Sequence, residues 1–164
     1  MITQELVQEL FDYKDGNLYW KKENKKTSAS GIAGSKMIDK RKGYARYKVG
    51  IKNKTYYAHR IIFLYHHGYL PKFVDHINGN SADNRIENLR PASQSQNSSN
   101  AKRFKTNTSG VKGVYWDKDT KKWRARVCLN YKMIQAGSYD TLEEAAKAVK
   151  QKRLELHKEF ARDE

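Results

Sequence analysis

The sequence has a single cysteine, Cys128, in 164 residues. One thiol cannot build an internal disulfide framework, and a cysteine-based zinc site needs at least two thiolates at short spacing, so both are excluded. The chain therefore reads as the product of a reducing, or at least disulfide-independent, compartment. No apolar run approaches the length needed to span a bilayer, and the opening Met-Ile-Thr-Gln-Glu-Leu lacks the basic-then-apolar order of a secretory signal. The expectation is a soluble, cytoplasmic protein with no membrane partner. Acidic residues are also scarce: 18 Asp and Glu stand against 33 Lys and Arg, a formal charge of +15. None occurs between Glu87 and Asp117, whereas Arg90, Lys102, Arg103, Lys105 and Lys112 all fall in that interval. A generic cytosolic enzyme has no use for such an excess, and a polyanionic partner accounts for it.

Apolar residues make up 38% of the chain and charged residues 31%, which favours small buried clusters over one large core. The 11 tyrosines argue against disorder. Up to Lys105 there are 20 basic and 9 acidic residues, and beyond it 13 and 9, so both halves are basic. The stretch from Ser93 to Gly110 is rich in Ser and Asn without an apolar period. It reads as a connector, either a solvated linker or one that tracks a phosphate backbone through Lys102, Arg103 and Lys105.

The spacing predicts a short helix over 3–12 capped by Thr3 and stopped at Asp15-Gly16-Asn17. Strands follow at 18–20, 44–49 and 55–58, with the Lys- and Ser-rich stretch between the first two as loop. A helix from His59 through Tyr65 ends at Gly68, and His59, His66 and His67 read as its terminal and packing residues. A strand at 73–77, a turn at Asn78-Gly79-Asn80 and a helix over about 83–89 capped by Asp83 complete the first half. The second half shows three strands, at 113–116, 123–129 and 133–137. A helix opened by Thr141, with Glu144 as the capping-box partner, lays its alanine side on them.

The string Val74-Asp75-His76-Ile77-Asn78-Gly79-Asn80, continuing through Asn84-Arg85-Ile86-Glu87-Asn88-Leu89-Arg90 to Ser95-Gln96-Asn97, is the most informative. Hydrolysis of a phosphodiester needs a base to activate water and a cation to neutralise charge. An adjacent Asp and His at a strand end can serve both needs if the backbone bends, and Asn97 offers a further hard oxygen donor suited to Mg²⁺. Arg60, Arg85 and Arg90 are candidates either for phosphate contact or for solvated surface charge. The segment from His59 to Asn100 resembles the HNH endonucleases, particularly the phage and intron-encoded homing type with a ββα-metal finger. His76 and Asn88 are twelve residues apart, and Asp75 and Asn97 twenty-two, as in that type. The resemblance implies His76 as general base, Asp75 and Asn97 as ligands of one Mg²⁺ or Mn²⁺ ion, and Asn88 as the residue holding the histidine loop. Asn97 stands where the name-giving pattern has a histidine.

On strand 123–129, alternation places Trp123, Ala125, Val127 and Leu129 on one face and Arg124, Arg126 and Cys128 on the other. Adjacent segments add Lys112, Tyr115, Met133 and Gln135 to the second face. Such a face is either a polar solvent surface or one that enters a major groove, where Arg reads guanine and Gln reads adenine. Residues 108–160 resemble the Apetala-two or ethylene-response-factor domain. The carrying strings are Ser109-Gly110-Val111-Lys112-Gly113-Val114-Tyr115-Trp116, Lys122-Trp123-Arg124-Ala125-Arg126-Val127 and Gly137-Ser138-Tyr139-Asp140-Thr141. The resemblance implies DNA contact through Lys112, Tyr115, Arg124, Arg126 and Gln135. Cys128 and Met133 stand where plant members often carry basic residues.

The expected fold is α+β: a ββα-metal nuclease domain over 1–100 with preceding small strands and helices, a basic linker over 101–108, and a three-stranded antiparallel sheet packed on one helix over 109–164. The expected function is a homing-type, metal-dependent DNA endonuclease, phage- or mobile-element-encoded, acting on double-stranded DNA as a monomer. The alternative is a sequence-specific DNA-binding or regulatory protein with an inactive nuclease half.

Overall fold

The computed structural model describes residues 2–22, 31–39, 44–101 and 106–163. Chain contacts divide it into two units, Met1–Ala92 and Ser93–Glu164. The fold is α+β, with small antiparallel sheets in both units.

The first unit opens with α1 (Gln4–Leu10), where the Thr3 hydroxyl accepts from the Leu6 N–H and supplies the cap. Instead of running on to residue 12, the chain turns into β1 (Phe11–Lys14), which pairs with β2 (Asn17–Trp20). Asp15 and Gly16 both take positive φ, 48° and 81°, the geometry of a two-residue hairpin whose twist matches its strands. Gly16 is required twice over, because a Cβ there would lie 2.8 Å from the Arg85 nitrogen. A three-stranded sheet follows, with β3 (Ser35–Asp39), β4 (Tyr44–Ile51) and β5 (Lys54–Tyr57) in sequential order. β3 lies in the stretch read as loop: its lysine and serine content hid a strand that exists through pairing with β4.

Helix α2 (Ala58–His67) buries Ala58, Ile61, Ile62, Phe63 and Leu64, and stops at Gly68 in the left-handed region. Its apolar side meets Val7, Phe11, Leu18, Val49 and Ile51 to form the core of this unit. Last come β6 (Phe73–His76) and β7 (Leu89–Ala92), an antiparallel pair in which Asp75 faces Arg90 and His76 faces Leu89. The helix expected over 83–89 is absent; a single 3-10 turn at Ile86–Asn88 stands in its place. Asp83 spends its carboxylate on Arg85 and Asn78 instead of on a helix cap.

The second unit begins with α3 (Gln94–Ser99), closed by a reciprocal capping box between Ser93 and Gln96. This helix lies inside the stretch read as connector, because its face carries no apolar period and only its cap signals it. Strands β8 (Val114–Asp117), β9 (Lys122–Leu129) and β10 (Lys132–Tyr139) form a sheet ordered β10-β9-β8. Helix α4 (Leu142–His157), with its Thr141–Glu144 capping box, packs Ala145 and Val149 against Val114, Ala125 and Val127. The small alanine side permits that close approach.

Candidate functional site

β6 carries the two central side chains to its end, and β7 braces them. Asp75 is 4% exposed, and its Oδ2 accepts from both Nε and Nη2 of Arg90, at 3.0 and 2.9 Å. Cross-strand register makes that pair: facing residues on an antiparallel ladder share a face. Arg90 is therefore a partner of Asp75 within the fold. Arg85 is likewise paired with Asp83, and Arg60 donates to the Lys72 carbonyl at 3.0 Å.

His76 is buried, and its Nε2 lies 3.0 Å from Oδ1 of Asn84, itself 4% exposed. An amide oxygen can only accept, so Nε2 carries the hydrogen in this arrangement and Nδ1 keeps the lone pair. Burial lowers the His76 pKa; the Asn84 bond and the Asp75 charge oppose this, without reversing it. The ring is thus neutral near pH 7, the state a proton acceptor requires. Nothing in the sequence singles out Asn84, since one asparagine in an asparagine-rich turn carries no distinguishing signal.

Asn88 makes three bonds that knit the intervening loop. Its Oδ1 accepts from the Asn78 N–H at 2.9 Å, and its Nδ2 donates to Asn78 Oδ1 and to the Asp83 carbonyl. A further bond from Ile77 N–H to the Asn88 carbonyl ties the loop to the end of β6. Asn97 lies on α3, in the second unit.

His59 stands in the first turn of α2, yet it does more than end a helix. Its ring centroid is 5.1 Å from that of His76, edge to face, and 5.6 Å from that of Tyr57, on which it stacks. Burial, then the neighbouring His76, Arg46 and Arg60, push its pKa down to about 3. A histidine depressed in the folded state binds its proton only on unfolding. Its contribution is fully present above the unfolded value near 6.5 and is lost as pH falls through that value toward 3. At about 1.4 kcal/mol per unit, the loss reaches about 2 kcal/mol at pH 5. The first unit is expected to melt several degrees lower at pH 5 than at pH 7.5, and His59→Phe to flatten that dependence in thermal scans.

In the second unit, alternation places Tyr115, Arg124, Arg126 and Gln135 on the sheet face opposite α4. The Arg126 guanidinium lies over Tyr115 at 4.5 Å, Gln135 is its cross-strand partner, and Asp117 holds Arg124 by a 2.9 Å ion pair. Lys112 departs from its expected position. β8 begins only at Val114, after Gly113 at φ 82°, and the Lys112 ammonium donates to the carbonyls of Ser99, Ala101 and Arg162. Burial and the nearby Arg153 and Arg162 hold its pKa down to about 8. Lys112 ties loop and terminus together, ahead of the strand on which alternation counts it. Lys102, Arg103 and Lys105 lie outside the described residues.

Comparison with known proteins places both patterns. The HNH endonuclease model matches residues 56–99, and the AP2 domain model matches residues 109–159. Protein 3.8 of Escherichia phage T7 is 42% identical over 97 residues, which is 58% of this chain and 79% of that protein. The chain belongs to the family of that phage protein. Within this family member, the HNH endonuclease domain precedes the AP2 domain, in the order read from the sequence. No solved structure matches. The chain thus joins a nuclease-type domain to a DNA-binding-type domain. Among the described residues, no helix is long and apolar enough to cross a membrane.

Proposed function

We propose that this protein is a metal-dependent, homing-type DNA endonuclease, in which the HNH domain hydrolyses phosphodiester bonds and the AP2 domain positions the cut. The observation that carries this reading is His76, buried at the end of β6 and held through Nε2 by Asn84 so that Nδ1 carries the lone pair. His76 takes a proton from water as its oxygen bonds to phosphorus. The P–O3′ bond breaks and O3′ is protonated, leaving a 5′-phosphate and a 3′-hydroxyl. Asn84 orients the ring, and Asn88 fixes the loop that follows it.

Asp75 and Asn97 are the residues that would hold a divalent ion. One carboxylate and one amide form a hard-oxygen donor set, which fits Mg²⁺ or Mn²⁺ with waters retained and does not fit a thiolate-preferring metal. A bound ion would neutralise charge on the scissile phosphate and the leaving oxygen. The partner is double-stranded DNA, bound by a phage-encoded, cytoplasmic monomer.

Supercoiled plasmid incubated with the full chain and Mg²⁺ is expected to convert to nicked or linear forms, and EDTA to stop the conversion. Undiminished cutting in EDTA removes the metal from the scheme. DNA binding with no cutting under any divalent ion leaves a regulator in place of a nuclease.

The two basic regions are expected to behave differently. Arg126→Ala should cost about 1–3 kcal/mol at one base pair of a preferred site and relax preference there. Neutralising Lys102, Arg103 and Lys105 together should weaken binding to all sequences alike and reduce the salt dependence. Anisotropy titrations on specific and random duplexes at two salt concentrations distinguish them. Equal losses on both duplexes for every variant would erase the distinction.

A further inference from the structure

The open face of the AP2 sheet carries an apolar pair that phosphate binding does not use. Met133 is 51% exposed, and Cys128, its Cα partner across β9 and β10, is exposed as well. Neither is needed for packing, since the helix-side core closes with Val114, Ala125, Val127, Ala145 and Val149. The two sulfur side chains also border a recess of about 380 Å³ whose lining includes Tyr115, Arg126 and Tyr131 together with Ser95 and Ser99 of α3. The next pair along the same face is Arg126 opposite Gln135. Successive pairs on one face are two residues apart, about 7 Å. That distance is roughly two base steps of duplex DNA at about 3.4 Å each.

In a major groove, guanine presents two acceptors, adenine an acceptor and a donor, and thymine a C5 methyl beside its acceptor. Arg126 and Gln135 match the first two. A polarizable, unbranched thioether with a thiol beside it matches only the third. We propose that Met133, with Cys128 beside it, reads the C5 methyl of a thymine roughly two base pairs from a purine contacted by Arg126 or Gln135. This inference rests on the reading of the sheet face as the DNA-binding surface, and it names one feature of the sequence that surface takes.

The test uses the full chain in EDTA, so that bound DNA stays intact. Preferred sites are selected from random duplexes, and each thymine of the selected site is then replaced in turn by deoxyuridine, which lacks only the methyl. At one thymine the replacement is expected to weaken binding about four-fold, the worth of one buried methyl. That thymine should lie roughly two base pairs from a purine whose preference is lost in Arg126→Ala or Gln135→Ala. Met133→Gln should bind the thymine and deoxyuridine sites equally, and Cys128→Ser should show a reduced methyl effect at the same base pair. Both positions are exposed, and unchanged binding of the variants to random DNA verifies their folding. If a site is selected but every thymine tolerates deoxyuridine, or if Met133→Gln keeps the full methyl effect, the assignment is overturned while sheet readout stands. If no sequence is enriched, readout by the sheet itself falls, and the methyl assignment falls with it.

Discussion

Replacement of His76 by alanine is expected to slow plasmid nicking about 10²- to 10⁴-fold, the usual worth of a positioned general base. DNA affinity should stay close to that of the parent chain, because the basic residues are untouched. The expectation follows from the tautomer. With Nε2–H bonded to Asn84 Oδ1 at 3.0 Å, the ring's lone pair is on Nδ1, and burial disfavours its protonation. Truncation also leaves the Asn84 amide without its partner, at a cost of about 1–3 kcal/mol. His76→Gln is therefore the companion variant: it keeps a hydrogen-bonding group near Asn84 and offers no basic nitrogen. Both variants should be equally inactive, with His76→Gln melting higher. Asn84→Ala should fall between them and the parent, since the imidazole remains but its orientation is released. If His76→Gln nicks at the parental rate with metal present, the role assigned to His76 is wrong.

The candidate site is legible in the spacing of Asp75, His76 and Asn88, whereas Asn97 joins it only through the family resemblance. Spacing along a chain reports which residues a turn can gather; it does not report what braces them. Asn84 and Arg90 are the examples. Each acts on a site residue through a contact set by loop path or strand register, and neither of these is written in local spacing. The second unit was the more readable half. Its strands alternate cleanly between a covered and an open face, and its long helix announces itself through Thr141 and Glu144. Lys112 escapes that logic because alternation does not hold through Gly113, which lies ahead of the strand at positive φ. β1 and β3 of the first unit and α3 of the second owe their form to pairing and capping more than to periodicity. The 3-10 turn at Ile86–Asn88 reads as a full helix over 83–89 because Asp83 looks like a cap until Arg85 is seen to claim its carboxylate.

Arg90→Ala is expected to destabilise the first unit by about 3–5 kcal/mol, the cost of leaving a buried carboxylate without its cation. Against a typical total of about 5–15 kcal/mol, that is enough to populate the unfolded state at physiological temperature. The geometry supports the upper part of the range: both nitrogens of the Arg90 fork converge on one oxygen of Asp75, and the two side chains are 14% and 5% exposed. A surface pair would be worth under about 1 kcal/mol. The double variant Asp75→Asn/Arg90→Met removes the charge along with its partner and should recover most of the lost stability, as replacement of both members of a buried pair usually does. It should not recover nicking, because the carboxylate proposed to hold the metal is gone. Urea denaturation of the parent, both single variants and the double variant closes the cycle. A loss below about 1 kcal/mol for Arg90→Ala would show that Asp75 does not depend on this cation. Parental nicking by the double variant would show that the reaction does not depend on Asp75.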